Sequence, residues 1–305
     1  MRAVVSDSVR LNDESMAHRG RTAPSNRRGE LLAVARADAA SRRPADLLAQ
    51  WAADSTVRPS PLDLRTAVAF DALALDAASD YEALLLSPVA PLGMSSVLSP
   101  GSQDRILSTI RGTEVVSDAT NVLALECAAR LRRDPATHVR LCTIHQLLRM
   151  QSPSNEKART KHFRLLMLGE AGAGSPENGF EVTAAIAQLH VYRRLLDSAA
   201  RARGLTWEQP LAIVRSNDAL PAIGARIRTA LEDGFPDIQI REESLDSRYY
   251  QGLRIGYGVH DRAGVFQEIV DLGVLDWVGQ LTSNRRNRYV ASAIGLQLLP
   301  MLFSE

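Results

Sequence analysis

Strand-like runs with few helical segments between them dominate the second half of the chain and constrain its fold most. Consecutive strands that are not separated by helices pair antiparallel, whereas parallel strands need a helical crossover. The sequence therefore predicts an α+β fold, with an antiparallel β-sheet flanked by helices, rather than a parallel doubly wound sheet. The runs cover residues 139–150, 162–172, 211–217, 237–245, 249–259, 265–273 and 291–299.

Helical patterns lie around these runs. Residues 61–78 and 219–234 have helical periodicity, and a third helix between 182 and 196 repeats apolar residues at a spacing typical of one buried face. That face consists of Val182, Ile186, Leu189, Tyr192 and Leu196. Residues 118–133 predict a further helix, capped at its start by Asp118 or Thr120.

The N-terminal part differs in composition from the rest. Residues 1–28 are rich in Arg, Ser, Asp and Asn and predict a flexible arm, whose arginines fit either solubility or nucleic-acid binding. Residues 29–60 predict a helical extension of two short helices, the second packing Leu47, Leu48 and Trp51. We expect residues 61–305 to form the main domain.

Charge and cysteine content exclude several classes of protein. The chain has 36 Lys+Arg and 35 Asp+Glu, so no overall field favours nucleic acid or an acidic membrane. The two cysteines show no disulfide framework and no metal-ligand spacing. No apolar run is long enough for a secretory signal or a membrane span, so we expect a cytoplasmic protein with no membrane partner.

The usual catalytic motifs are missing from the sequence. The Gly-rich residues 169–174 lack the Lys-Ser/Thr that follows a phosphate-binding loop, and they predict a turn instead. The six histidines are scattered, and no nucleophile elbow occurs. We therefore predict neither a metal ligand nor a catalytic residue.

Five segments in a fixed order do stand out. A helix and strand end at Pro88; Ser117 to Thr120 follow a short strand; residues 148–151 and 159–163 flank a polar loop; Tyr249 and Tyr250 are adjacent; and residues 293–298 read Ala-Ile-Gly-Leu-Gln-Leu. In this order they resemble the catalytic core of class II aminoacyl-tRNA synthetases of the histidyl type and their non-catalytic relative, the ATP phosphoribosyltransferase regulatory subunit.

The resemblance implies a binding site. It assigns an amino-acid-like ligand to Asp118, Thr120, Arg149, Tyr249 and Tyr250, and a nucleotide to Arg149, Gln151, Arg159, Phe163 and Gly295. A carboxylate can pair a buried ammonium, and a planar guanidinium suits a carboxylate or phosphate. The alternatives are that Asp118 and Thr120 only cap a helix, and that the tyrosines only form a half-buried pair on a strand. Only one of the two tyrosines would face a given cleft unless the strand bulges.

The sequence also departs from that family. Gln151 replaces a glutamate that accepts from adenine, and Leu298 replaces the arginine that binds the γ-phosphate. No anticodon-binding segment follows, so we expect tRNA not to be a partner.

These departures favour one function over two others. The favoured function is that of a homodimeric synthetase-like paralogue that does not charge tRNA. It binds an amino-acid-like or nucleotide-like small molecule, and the expectation includes a regulatory role with a protein partner. The first alternative is an adenylate-forming ligase acting on a carrier protein or small acceptor, and the second is a scaffold with a filled cleft. Whether ATP and Mg²⁺ bind is left open.

Overall fold

The computed structural model describes residues 24–150 and 161–303, and in this part of the chain eight strands form one large sheet. Their order across the sheet is β1-β4-β5-β10-β9-β8-β6-β7, and β2 and β3 form a separate small ladder. The strands are β1 (Glu82–Ala83), β2 (Val89–Pro91), β3 (Thr113–Val115), β4 (Val139–Leu148), β5 (His162–Ala173), β6 (Glu208–Ser216), β7 (Gln239–Ser244), β8 (Leu253–His260), β9 (Phe266–Leu275) and β10 (Asn287–Gly295).

The six central strands of the sheet, from β4 to β6, pair antiparallel. Only the two edge pairs, β1 with β4 and β6 with β7, are parallel. A helix connects β6 to β7, as a parallel crossover requires. The predicted α+β class with a helix-flanked, mainly antiparallel sheet is confirmed.

One face of the sheet carries most of the helices. The described helices are α1 (Pro24–Ala40), α2 (Pro44–Ala53), α3 (Leu64–Ala77), α4 (Ala119–Arg133), α5 (Gly179–Arg203), α6 (Ile223–Gly234), α7 (Trp277–Thr282) and α8 (Leu298–Phe303). Helices α3, α5, α6 and α8 share one apolar core on this face. Leu189, Tyr192 and Leu196 are buried in it, as the helical spacing predicts, while Val182 and Ile186 pack at its margin.

The opposite face is covered only in part. Helix α4 packs on β4 and β5 and contacts α7, around a second core that includes Leu123, Met167, Trp277 and Tyr289. Asp118 caps the start of α4, and Arg130, Arg132 and Arg133 lie in its last turn, where positive charge favours the helix dipole. The remainder of this face is left open.

The N-terminal extension contains the two predicted helices, but its packing prediction is wrong. Helix α1 already begins at Pro24, inside the predicted arm of residues 1–28, and the rest of that arm lies outside the described residues. Leu47, Leu48 and Trp51 of α2 are each at least 50% exposed. Periodicity predicts an apolar face on a helix but not which element covers it, and α2 has no buried residue.

The Gly-rich segment predicted as a turn belongs to a strand. Gly169 to Ala173 continue β5; residues 169–171 lie between β4 and β10, and residues 172 and 173 pair with β10 alone. Both neighbouring strands supply hydrogen bonds, and this outweighs the weak strand preference of glycine. In the described part of the chain, no helix combines the length and apolar character needed to cross a membrane.

Candidate functional site

A cleft of about 1150 Å³ lies on the open face of the sheet. The start of α4, the segment of residues 95–106 and the loop of residues 244–247 surround it. Seven of the residues that the sequence singled out line this one cleft: Asp118, Thr120, Arg149, Phe163, Tyr249, Tyr250 and Gly295. Gln151 and Arg159 lie outside the described residues.

Small side chains on the sheet form the floor of the cleft and leave space above it. Ala291, Ala293 and Gly295 of β10 contribute to it, and Gly273 lies on the neighbouring strand. A β-carbon at Gly273 would overlap the ring of Tyr250, so only glycine lets this ring lie against the sheet. The described residues leave the cleft open, whereas the scaffold alternative requires side chains that fill it.

Asp118 serves the helix and the cleft at the same time. Its Oδ1 accepts hydrogen bonds from the Thr120 backbone N–H at 2.9 Å and from Thr120 Oγ1 at 2.6 Å. Its Oδ2 accepts from the Tyr249 hydroxyl at 2.7 Å. Among the described residues no Lys, Arg or His forms an ion pair with Asp118. The capping role and the cleft position, which the sequence presents as alternatives, coexist on the two oxygens of one carboxylate.

Tyr249 and Tyr250 both face the cleft, because they do not lie on a strand. They form part of a bend before β8, which begins at Leu253, so the alternation of strand side chains does not apply. Ser247 Oγ accepts from the backbone N–H of both tyrosines, at 3.1 and 3.4 Å, and holds the bend. The prediction that a strand starts at Tyr249 is wrong, and the limit of one tyrosine per face of a regular strand does not apply to this pair.

The two phenols form a rigid donor pair. Their rings meet edge to face at 4.8 Å, and Tyr249 also meets Trp277 at 5.3 Å. The Tyr250 hydroxyl donates to Asp271 Oδ2 at 2.7 Å. Burial raises the pKa of both phenols well above the ordinary value, and the nearby charges of Asp118 and Asp271 raise it further. Both hydroxyls therefore remain protonated donors at neutral pH.

Arg149 follows β4 and is held by hydrogen bonds to backbone carbonyl oxygens. Its Nε donates to the carbonyl oxygen of Ser117 at 2.9 Å, and its guanidinium carbon lies 5.1 Å from the centre of the Phe163 ring. The Arg149 backbone N–H donates to the carbonyl oxygen of Lys161, and the Met150 backbone N–H donates to the carbonyl oxygen of Arg105. Arg105, Arg149 and Lys161 all line the cleft. We call Arg105, Arg149 and Lys161 the basic end of the cleft.

A set of paired charges lies at the tyrosine side of the cleft, and sequence reasoning missed it. Arg254 donates to Asp271 Oδ1 at 2.8 Å and to Glu268 Oε1 at 2.6 Å. Arg215 donates to Glu243 at 2.8 Å and approaches Glu268 at 3.4 Å. We call these five residues the charged cluster. Charged residues on otherwise apolar strands were the signal in the sequence that could have revealed it.

A buried glutamate holds the segment that covers the cleft. Glu114 of β3 accepts from the backbone N–H of Gly93 at 2.8 Å, from Ser95 N–H and Oγ at 3.0 and 2.8 Å, and from Gln103 at 3.0 Å. Burial opposes ionisation, but these hydrogen bonds outweigh it and lower the pKa of Glu114. The ionised carboxylate fixes the covering segment over the cleft.

The part of the cleft beside Gly295 contains an apolar side chain, Leu298. Leu298 lines the cleft, and a β-carbon at Gly295 would lie 2.8 Å from Leu298 Cδ1. Leucine offers no hydrogen bond to a phosphate, so Leu298 contributes nothing to binding a triphosphate. Within residues 24–150 and 161–303, no group of three or more His, Cys, Asp or Glu side chains is placed to hold a metal ion.

Comparison with known proteins supports the fold through structure alone. No protein-family model matches the chain, and no curated protein sequence matches it. Histidyl-tRNA synthetase of S. aureus matches with a TM-score of 0.60 at 11% identity, over 81% of this chain and 68% of that one. An ATP phosphoribosyltransferase regulatory subunit/histidyl-tRNA synthetase from Bacillus halodurans matches with a TM-score of 0.60 at 12% identity, over 81% and 82%.

A third solved structure has similar coverage. The histidine–tRNA ligase subunit from Alicyclobacillus acidocaldarius matches with a TM-score of 0.56 at 14% identity, over 85% of this chain and 96% of that one. At these identities the likeness shows the fold and not the activity. The chain has the fold of a class II aminoacyl-tRNA synthetase core of the histidyl type, which confirms the resemblance expected from the ordered segments.

Proposed function

We propose that the cleft binds a small amino-acid-like molecule without charging tRNA, with the ligand carboxylate on Arg149 and the ligand ammonium on Asp118. The observation that carries the proposal is the coupling of these two side chains through adjacent residues. Arg149 is anchored on the carbonyl oxygen of Ser117, and Asp118 is the next residue along the chain. Both side chains line the same cleft.

The chemistry of an α-amino acid fits this arrangement. Its ammonium and carboxylate are attached to one carbon, so its binding groups must be of opposite charge and close together. Arg149 has guanidinium N–H groups beyond the one bound to Ser117, and the planar group can grip a carboxylate with two parallel hydrogen bonds. Asp118 Oδ2 has lone pairs beyond the one that accepts from Tyr249.

The tyrosine pair supports the same proposal. Tyr249 orients the Asp118 carboxylate, and its ring is fixed by contacts with Tyr250 and Trp277. A rigid pair of aromatic rings gives apolar contact to the carbon atoms of a ligand at little cost in conformational entropy. The binding groups are thus held in place before the ligand arrives.

A regulatory role is part of the proposal. A structural neighbour with the same fold is described as an ATP phosphoribosyltransferase regulatory subunit/histidyl-tRNA synthetase. Leu298, beside Gly295, offers no hydrogen bond to a phosphate, and this argues against ATP-dependent activation in this chain. We therefore include in the proposal that a protein partner responds to ligand binding in the cleft.

Formation of an aminoacyl-adenylate, for transfer to a carrier protein or small acceptor, is the second candidate. One observation favours it: Arg149 lies over Phe163 at the basic end, where a phosphate and a flat ring could both find partners. Positioning and charge stabilisation are sufficient for this reaction in principle. The apolar side chain of Leu298 is the observation against it.

A titration panel tests the proposal. Calorimetric titration of the wild-type chain with the twenty standard amino acids should find at least one that binds, and ATP–pyrophosphate exchange with the same panel should give no turnover. Arg149→Gln should weaken the best ligand about tenfold or more, because it removes a charged donor. Arg65→Gln, a change at an almost fully exposed arginine, is the matched control and should leave affinity unchanged.

Two results would overturn the proposal. Exchange driven by any amino acid would establish the ligase instead. Failure of all twenty to bind, or equal binding by Arg149→Gln and wild type, would remove the assignment of the cleft to an amino-acid-like ligand.

A further inference from the structure

The charged cluster extends the proposed amino-acid site. We infer that the cleft selects an amino acid whose side chain carries a second cationic group, of the lysine, ornithine or arginine class. The inference rests on the proposed function, because it assumes that Asp118 and Arg149 hold the two groups on the α-carbon. The residues that determine the specificity are Asp271 and Glu268.

The structure limits where a ligand side chain can extend. Behind Thr120 the space is occupied by Tyr289, which is fully buried and donates from its hydroxyl to the carbonyl oxygen of Thr120 at 2.7 Å. The Tyr289 hydroxyl takes the volume that a side chain at position 169 would fill. A ligand side chain therefore cannot enter the sheet at Gly169. Beyond the basic end, the open direction runs along Tyr249 and Tyr250 towards the charged cluster.

The charges at this end are not balanced. The charged cluster contains three carboxylates, Glu243, Glu268 and Asp271, against two guanidiniums, Arg215 and Arg254, and Arg241 compensates Glu243 from outside the cluster at 3.0 Å. Asp246, which also lines the cleft, adds one more carboxylate at this end. Asp118 adds a further carboxylate with no ion pair among the described residues. The ligand ammonium compensates Asp118 and leaves one excess negative charge. A second cationic group on the ligand compensates that one, and a neutral side chain does not.

Asp271 can accept a further hydrogen bond. It accepts from the Tyr250 hydroxyl at 2.7 Å and from Arg254 Nε at 2.8 Å, whereas a carboxylate offers about four lone-pair sites. The Asp271 side chain is 45% exposed and Glu268 is 27% exposed, and both line the cleft. An ammonium or guanidinium in the cleft can donate to the remaining lone pairs of these carboxylates.

The aromatic pair suits the rest of such a side chain. Basic side chains have a methylene stem that prefers apolar contact and a charged head that prefers polar contact. Tyr250 presents its ring to the cleft and points its hydroxyl at Asp271, so the apolar and acidic surfaces follow each other in that order. A lysine-like ligand has the same order of groups.

Matched ligands separate this inference from the proposed function. Calorimetric titration compares L-lysine, L-ornithine and L-arginine with L-norleucine, which has a similar linear side chain without charge. We expect at least one basic amino acid to bind about tenfold or more tightly than norleucine, because the ligand gains a charge-assisted hydrogen bond. Asp271→Asn removes the charge but keeps an acceptor for Tyr250, and it should reduce this preference to about threefold or less.

A second variant and a control protect the test against loss of folding. Glu268→Gln should also reduce the preference, and circular dichroism verifies that both variants are folded. Asp233→Asn changes an exposed carboxylate on α6, outside the cleft, and should leave the preference unchanged.

Each outcome decides the matter. Norleucine binding as tightly as the basic amino acids, or a preference that survives both Asp271→Asn and Glu268→Gln, overturns the inference while the proposed function stands. Failure of every amino acid to bind overturns both. A preference that is lost in the two cleft variants and kept in Asp233→Asn supports the inference.

Discussion

Asp118 joins the start of a helix to a binding site through its two oxygens. Oδ1 caps α4 by accepting from Thr120, and Oδ2 accepts from Tyr249 at the cleft. The charge and the capping ability of this residue can be separated by substitution, because asparagine keeps a carbonyl acceptor and loses the charge.

Asp118→Asn should therefore reduce the affinity for an amino acid about tenfold to a hundredfold, while the free energy of unfolding changes by less than about 1 kcal/mol. Asp118→Ala should lose affinity and, in addition, about 1 kcal/mol of stability through loss of the cap. Calorimetry and urea denaturation measure the two effects. An Asp118→Asn variant with unchanged affinity would show that the charge has no part in binding.

At the residue scale, the sequence predicted some of the residues that line the cleft and missed others, and both results have physical reasons. Seven of the predicted positions, all that the structure describes, line one cleft, and most of them lie close to a strand or helix end, which the order of elements determines. Arg254, Glu268 and Asp271 were missed because their importance depends on pairing between β8 and β9, and one sequence does not reveal that register. The roles of all these residues in binding stay predictions.

Helix α3 is attached to the sheet by one well-formed ion pair. Arg164 of β5 donates to the Asp71 carboxylate at 2.6 to 2.9 Å from Nε and Nη2, and Asp71 is nearly buried. Removing the arginine leaves a carboxylate without its partner in a poorly solvated position.

Arg164→Ala should lower the free energy of unfolding by about 2 kcal/mol, which is below the value for a fully buried pair because the arginine is partly exposed. Arg65→Ala breaks a loose, exposed pair with Asp63 and should cost less than about 0.5 kcal/mol. Urea denaturation of both variants is the measurement. Equal losses would mean that Arg164 does not hold α3 in place.

Glu114 makes the segment over the cleft sensitive to acid. Its pKa is lower in the folded chain than the ordinary value of 4.5, so its stabilising effect is complete above about pH 4.5 and is lost as the pH falls through the lower, folded value. Glu114→Gln removes the charge and places an amide where backbone N–H groups need an acceptor.

The stability difference between wild type and Glu114→Gln should be about 1 to 3 kcal/mol at pH 7 and should shrink as the pH falls below about 4.5. Urea denaturation between pH 7 and pH 3 measures it. A difference that does not change over this range would contradict an ionised Glu114 as the anchor of the segment.

At the scale of elements, the prediction succeeded where periodicity decides and failed where packing decides. The helix stripe on α5 and the antiparallel β4–β5 hairpin follow from local patterns. The parallel edge pairs, the bend at Tyr249 and the exposed face of α2 depend on contacts between distant segments. Such contacts override local preference in either direction.

For the whole molecule we propose a homodimer formed through the surface near the segment that ends at Pro88. Leu85 is 99% exposed, and Leu92, Val97 and Leu107, which follow it within 22 residues of the sequence, are exposed as well. Several large apolar side chains exposed in one region mark a surface that a partner covers.

Sedimentation at micromolar concentration should give twice the chain mass of 33.3 kDa. The Leu85→Asp variant should sediment as a monomer, because the substitution places a charge in an apolar contact. Val265→Asp changes an exposed apolar residue in the turn between β8 and β9, and this variant should remain a dimer. A wild-type monomer, or a dimer unaffected by Leu85→Asp, would contradict this interface.

The central claim is that one cleft recognises both charged groups on the α-carbon of an amino acid. Calorimetric titration with the tightest-binding amino acid, its carboxamide and its N-acetyl derivative tests it directly. We predict that each blocked form loses about tenfold or more in affinity, because each lacks one of the charges that Arg149 and Asp118 require. Blocked forms that bind as tightly as the free amino acid would contradict the account.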